Sequence, residues 1–264
     1  PTPYPNLSIK ILLDFISPSD GRAEVLGLDA QERSLEIRER VGYLPEVSNV
    51  YDKLTGKRHV EFAKDVKNAD TDVDEVLRRV GLEDEGDRRA GSYSKGMKQR
   101  LGIAMALVGE PDLFILDEPT TGLDPNGARM VREIVRKENK RGATVFFSSH
   151  ILEQAEKVSD RVGILKGGEL VAEDTIEGLR ERVEATSVLR LKVDEVPDLK
   201  ELKEINGVKK VKTTGDVIEI EIGKNVTKGT LVDAIKNKGV QIIDISTEES
   251  SLEDLFAILT GGGE

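Results

Sequence analysis

Three short apolar runs, separated by segments long enough to form helices, constrain the fold of this chain more than any other feature. The runs are residues 41–44, 113–116 and 144–148. A run that is apolar on both faces suits a strand buried between two layers of helices, as in a parallel sheet. Strands that alternate with helices along the chain predict a doubly wound α/β sheet.

Helical patterns lie between these runs, and the pattern changes in the last third of the chain. Residues 96–109 and 128–140 have apolar positions at helical spacing. Beyond Glu184, strands that alternate apolar and polar residues are interleaved with helices in the ferredoxin-like order βαββαβ. We therefore predict an α/β domain over residues 1–184 and a small α+β domain over residues 185–264.

The composition excludes several classes of function. The 264 residues include no cysteine and two histidines, which rules out thiolate catalysis and Cys-ligated metals and disfavours a His-rich metal site. A net charge of −11 and an aromatic content of 4% disfavour nucleic acid as a partner. No apolar run approaches the ~18–20 residues that span a bilayer. We expect a cytoplasmic protein that meets a membrane only through a partner.

Two adjacent carboxylates follow the second apolar run. Asp117 and Glu118 stand where this predicted strand ends, and ligands of open α/β sheets bind at the carboxyl edge. Asp117 suits Mg²⁺ coordination because hard cations take oxygen ligands. Glu118 could polarise a water for attack on a phosphoryl group. For such a pair taken alone, a strand that simply ends in solvated acids is the alternative.

Two further segments suit phosphate chemistry. Ser94, Lys95 and Gly96 stand at the start of a predicted helix, whose free N–H groups and partial positive charge attract phosphate. His150 follows the third run, where its neutral imidazole could bridge a γ-phosphate and the attacking water. Taken singly, Ser94 could be an ordinary N-cap and His150 a structural residue.

Taken together, these segments resemble those of the ATP-binding-cassette (ABC) ATPases. Residues 93–97 (Tyr-Ser-Lys-Gly-Met) resemble the signature motif, usually Leu-Ser-Gly-Gly-Gln, and residues 113–117 resemble Walker B. Glu118 then matches the catalytic glutamate, Asp124 the D-loop aspartate and His150 the switch histidine. The resemblance implies that Asp124 contacts nucleotide.

The resemblance covers about residues 9–184 and implies a P-loop NTPase core with a helical signature subdomain. Residues 185–264 resemble, more weakly, a C-terminal extension of ABC exporter ATPases.

The phosphate-binding loop of the family is not found in this sequence. In the family, Gly-x-x-x-x-Gly-Lys-Ser/Thr precedes a helix and cradles the phosphates. Residues 9–15 resemble that helix, but residues 1–8 hold three prolines and no glycine or lysine, and the motif occurs nowhere else in the 264 residues. We therefore expect an N-terminally incomplete core that lacks this Walker A loop and its strand, through either truncation or natural degeneration.

A second departure lies at residue 46. The segment Gly-Tyr-Leu-Pro-Glu, residues 42–46, resembles the family's Q-loop, in which a glutamine usually contacts Mg²⁺. Glu46 could still bind the metal, but it adds a charge. Within the signature, Lys95 replaces a glycine and could help to bind phosphate, and Met97 replaces a glutamine.

The resemblance implies a subunit of an ABC exporter that uses ATP and Mg²⁺. Its partners would be a second ABC ATPase subunit and a transmembrane permease, with no nucleic acid, at the inner face of the cell membrane. Ser94, Lys95 and Gly96 would complete the ATP site of the second subunit. We do not expect the 264 residues to hydrolyse ATP alone. Tyr51, Leu54 and Val60 are apolar candidates for the permease contact, although they could equally be core residues.

Two alternatives remain open at this point. The chain could be a non-catalytic regulatory or interaction subunit whose C-terminal domain carries the function, or a pseudo-ATPase that only completes a partner's site. An ABC ATPase of DNA repair or translation is disfavoured by the acidic charge and the single cassette.

Overall fold

The backbone divides into two units, the first ending at Ile151 and the second beginning at Leu152. The computed structural model describes residues 7–183, 186–223 and 226–261. The predicted domain boundary at Glu184, and residues 1–6 of the segment compared with the Walker A loop, lie outside these described residues.

The first unit alternates helices and strands, as the sequence predicts. Its elements are α1 (Leu7–Leu12), β1 (Glu24–Val25), β2 (Leu28–Asp29), α2 (Ser34–Arg40), β3 (Val41–Leu44), α3 (Gly56–Lys67), α4 (Val73–Arg79), α5 (Lys95–Leu107), β4 (Leu113–Asp117), α6 (Pro125–Arg141) and β5 (Thr144–Ser148).

Strands β3, β4 and β5 form a parallel sheet in that order, which confirms the three predicted strands. The register pairs Leu116 with Phe147 and Asp117 with Ser148, so polar side chains meet at the carboxyl edge. Strand β5 lies at the edge of the sheet within the described residues, and the side chain of Phe146 is 47% exposed there.

The two faces of β3 pack against different layers. Val41 joins a buried cluster with Ile9 of α1 and Ile37 of α2. On the other face, Gly42 lies against α5, because a Cβ at this position would be 2.2 Å from the carbonyl oxygen of Ala106. Helices α3 and α4 pack against each other and against α5, which gives the predicted helical subdomain.

Substitution of Gly42 tests this close approach. Gly42→Ala should lower the free energy of unfolding by about 3 kcal/mol, because the added methyl group overlaps backbone and the side chain of Pro111. Gly229→Ala is the matched control, since its Cβ would be 3.8 Å from the nearest heavy atom, and it should leave stability unchanged or slightly raised. Equal urea midpoints for the two variants would contradict the packing described.

The second unit contains a hairpin with flanking helices and a four-stranded sheet. Its elements are α7 (Leu152–Glu156), β6 (Val162–Lys166), β7 (Glu169–Asp174), α8 (Ile176–Arg182), β8 (Ser187–Val193), α9 (Lys200–Glu204), β9 (Val208–Thr214), β10 (Val217–Ile222), α10 (Lys228–Lys236), β11 (Ile242–Glu249) and α11 (Leu252–Thr260).

The antiparallel sheet has the strand order β11-β8-β10-β9, which confirms the ferredoxin-like arrangement. Its core includes Leu189, Leu191, Ile218 and Ile220 from the sheet and Leu231 from α10. A capping box between the N-cap Ser251 and Asp254 starts α11, as its sequence predicts. The β6–β7 hairpin was not predicted from the sequence.

Candidate functional site

Asp117 is buried at the carboxyl end of β4, with its side chain held from two sides. The Oγ of Ser148 donates a hydrogen bond of 2.6 Å to Oδ1 of Asp117, and the backbone N–H of Glu46 donates another to the same carboxyl group. The Oγ of Ser148 also accepts a 3.0 Å hydrogen bond from the backbone N–H of Glu118. One hydroxyl group of β5 therefore fixes both predicted carboxylate residues.

The electrostatic environment of Asp117 is unfavourable to its own charge. Burial is the largest cause that raises the pKa of Asp117 above its ordinary value of 3.8, and the negative charges of Glu46 and Glu118 raise it further. The two hydrogen bonds to the carboxyl group offset this only in part. The charges of Glu46 and Glu118 thus act on a buried Asp117, an arrangement that a bound cation would stabilise.

Glu118 and His150 are brought together, as the sequence predicts. The Nδ1 of His150 lies 2.7 Å from Oε2 of Glu118. This oxygen is buried and has no partner besides His150 within the described part of the chain, whereas the His150 side chain is 68% exposed. Glu118 has a backbone φ of 49°, a conformation that costs energy for a residue with a Cβ. Its carboxylate is therefore held where a water could approach it beside the imidazole.

The signature residues form a second group, at the N-terminus of α5. Ser94 is the N-cap, and its Oγ accepts a 3.2 Å hydrogen bond from the backbone N–H of Met97. Lys95 is exposed and its aliphatic stem covers Gly122, where a Cβ would be 2.9 Å from Cδ and Cε of the lysine. A Cβ at Gly96 would be 3.3 Å from the carbonyl oxygen of Gly122. The signature thus packs against the turn that precedes α6.

Asp124, predicted to contact nucleotide, caps α6 in the structure. Its Oδ1 accepts a 2.7 Å hydrogen bond from the backbone N–H of Gly127 and lies 3.7 Å from a guanidinium nitrogen of Arg100. Both contacts position the helix and leave the carboxylate largely exposed. A nucleotide contact of Asp124 stays a prediction.

Two positioning side chains were missed by the sequence analysis. Ser148 could have been found from the register, since the last residue of β5 faces Asp117. Gln99 is a polar residue on the buried face of α5, 4% exposed, and its Nε2 lies 3.3 Å from the backbone oxygen of Glu118. A buried polar side chain on an apolar helix face was the available signal.

His59 has a structural role, and one of the three apolar residues predicted to contact a permease is buried. His59 is buried and satisfied, because its Nε2 accepts from the backbone N–H of Tyr51 and its Nδ1 lies 2.8 Å from the carbonyl oxygen of Thr55. Val60 is fully buried, so its prediction as a permease contact was wrong, whereas Tyr51 and Leu54 are exposed.

Metal and membrane features of the described residues are limited. These residues contain no group of three or more His, Asp or Glu side chains placed to hold a metal ion, so a cation beside Asp117 would take most of its ligands from water and phosphate. No helix in the described ranges has the length and hydrophobicity needed to cross a membrane.

Comparison with known proteins decides the family. Residues 7–121 match the family model described as ABC transporter, and residues 175–259 match that of the C-terminal domain of DrrA1-3-like ATP-binding proteins. The bacitracin transport ATP-binding protein BcrA of Bacillus licheniformis is 35% identical over 262 residues, which cover 97% of this chain and 84% of BcrA. The chain belongs to the ABC transporter ATP-binding subunits.

Further relatives agree with this assignment. The daunorubicin resistance ATP-binding protein DrrA2 of Streptomyces coeruleorubidus is 32% identical over 96% of this chain and 82% of its own length. A solved ATP-binding subunit of an ABC transporter superposes with a TM-score of 0.62 at 29% identity, covering 67% of this chain and 76% of that one. Membership confirms the predicted P-loop NTPase fold class and implies ATP binding by this ABC subunit.

The charge of Asp117 should lower the free energy of unfolding of this ABC subunit. Because the folded pKa is raised, the folded chain binds the proton more tightly than the unfolded chain, and stability falls as pH rises through that pKa. Asp117→Asn should therefore raise the free energy of unfolding at pH 7. This gain should shrink as the pH is lowered through the raised pKa, where the wild-type carboxyl group takes up its proton.

Urea titrations at several pH values measure this effect. Asp70→Asn, at an exposed position, is the control and should change stability by less than about 0.5 kcal/mol. A pH-independent loss of stability in Asp117→Asn would show that hydrogen bonding, rather than charge, dominates at this position.

Proposed function

We propose that this chain is the ATP-hydrolysing subunit of an ABC exporter and couples closure of two cassettes to transport through a separate membrane permease. The convergence of Asp117, Glu118 and His150 at one sheet edge carries the proposal. The names of BcrA and DrrA2 refer to bacitracin transport and daunorubicin resistance, and they support export of a small molecule as the cellular role.

Glu118 is the proposed general base. Its Oε2 lies 2.7 Å from Nδ1 of His150 and has no other partner within the described residues, and the carboxylate would accept a proton from an attacking water. The imidazole of His150, 2.7 Å away, orients this carboxylate, and its exposed side would be available to a γ-phosphate. The hydrogen bond between the Glu118 N–H and Ser148 keeps the loop in place.

The same edge fits a magnesium ion. The raised pKa of Asp117, caused first by burial and then by neighbouring carboxylates, marks uncompensated negative charge. Asp117 would hold the ion, with Glu46 close enough to contribute through water. When bound, Mg²⁺ supplies positive charge against the developing charge of the phosphoryl oxygens.

A phosphate cradle is the remaining requirement, and we propose that it comes from outside the 264 residues. No Gly-x-x-x-x-Gly-Lys-Ser/Thr motif occurs in them. The exposed Phe146 on edge strand β5 supports a further strand beside it, because parallel strands are ordinarily covered and paired on both sides.

The proposed assembly contains a second ABC ATPase subunit and a permease. Ser94, Lys95 and Gly96 would face the nucleotide of the second subunit, where the free N–H groups of α5 and the Lys95 ammonium favour phosphate. Tyr51 and Leu54 are exposed apolar side chains that would contact the permease. We therefore propose that the chain works at the cytoplasmic face of the membrane.

Replacement of the proposed base tests catalysis in the assembled transporter. Glu118→Gln should lower ATP turnover at least about 100-fold, the usual contribution of a general base, while ATP binding is retained because the amide has the same shape. Glu133→Gln, at an exposed carboxylate paired with Arg129, should leave turnover unchanged.

The result also separates catalytic from regulatory function. Unchanged turnover in Glu118→Gln would favour a non-catalytic subunit that regulates or completes a partner's ATP site.

A further inference from the structure

We propose that Gln99 is a positioning residue for Glu118: its side-chain amide fastens the backbone of the catalytic carboxylate to the signature helix and to the loop that follows Glu46. This inference rests on the function proposed above. Gln99 touches no substrate in this scheme and acts only through the residues that it holds.

The contacts of Gln99 define one orientation of its amide. Its Nε2 donates to the backbone oxygens of Glu118, at 3.3 Å, and Pro119, at 3.4 Å. Its Oε1 accepts a 3.0 Å hydrogen bond from the Oγ of Ser48. The reversed orientation would place the amide oxygen against two carbonyl oxygens, which cannot donate. The buried side chain therefore joins three separate segments of the chain.

Glu118 depends on such anchoring because its backbone conformation is unfavourable. Its φ of 49° persists only when neighbouring groups fix it. The N–H of Glu118 is held by the Oγ of Ser148, and its carbonyl oxygen accepts from Gln99 and from the backbone N–H of Thr121. Gln99 thus secures the side of the residue opposite to Ser148, and together they set the direction of the carboxylate.

Ser48 extends this connection towards Glu46. It lies close to α5 because Gly102 has no side chain, and a Cβ there would be 2.6 Å from the Oγ of Ser48. Two residues earlier, the backbone N–H of Glu46 donates to the carboxyl group of Asp117. A displacement of this loop would therefore reach both carboxylates, Asp117 through a backbone hydrogen bond and Glu118 through Gln99.

A positioning role differs measurably from a general contribution to folding. Gln99→Met keeps the size of the side chain but removes its donor and acceptor. In the assembled transporter, kcat for ATP should fall about tenfold while KM stays within about twofold, because nucleotide contacts are untouched. Ser48→Ala should lower kcat by a smaller factor, since the contacts of Nε2 with the carbonyl oxygens remain.

Amide hydrogen exchange in the 264-residue chain gives a readout that does not need activity. The amides of Glu118 and of residues 120–123 should exchange about tenfold faster in Gln99→Met, because the turn loses an anchor. Ile103→Val, another buried change on α5, is the control and should alter neither kcat nor the exchange of this turn.

Several results would overturn the proposal. These are an equal fall of kcat in Gln99→Met and Ile103→Val, a raised KM with unchanged kcat, or unchanged exchange at Glu118 and residues 120–123. If the unmodified transporter hydrolysed no ATP, the proposed function would fail, whereas the exchange measurement would still decide whether Gln99 holds Glu118.

Discussion

The parallel pairing of β4 with β5 is the constraint on which the site depends. Its register places Asp117 opposite Ser148, and the resulting 2.6 Å hydrogen bond ties the two strand ends together. Glu118 directly follows Asp117 and His150 lies two residues after Ser148, so a fixed register brings their side chains to 2.7 Å. A slip of one residue would turn every side chain of β5 to the other face of the sheet and separate the pair.

The buried charge of Asp117 lowers the stability of the folded chain, and we propose that it makes this edge a site for a cation. Asp117 is buried beside two further carboxylates, which raises its pKa and costs free energy in the folded chain. A cation that binds only the folded state would restore this lost free energy. Residue 46 is a glutamate, whereas the Q-loop that this segment resembles usually has a glutamine. Its charge adds to the negative charge at the same edge.

The sequence predicted the strands and the residues at their ends, but not how side chains hold one another. Apolar runs locate β3, β4 and β5, and their carboxyl ends predict that Glu118 and His150 lie close together. The hydroxyl of Ser148 and the amide of Gln99 act across the fold, so their partners depend on register and helix packing that periodicity does not specify. Likewise, an apolar residue such as Val60 suits either a core or an exposed contact surface. Only the packing of α3 shows that Val60 is buried.

We propose that ATP is hydrolysed at the sheet edge formed by Asp117, Glu118 and His150. A structure of the assembled transporter trapped with Mg²⁺, ADP and vanadate, which mimics the phosphoryl group in flight, tests it most directly. We expect vanadate within hydrogen-bond distance of His150, magnesium on the side of Asp117, and a water between Glu118 and vanadate. If nucleotide were bound and these three side chains lay out of reach of vanadate, ATP would not be hydrolysed at this edge and the proposal would be wrong.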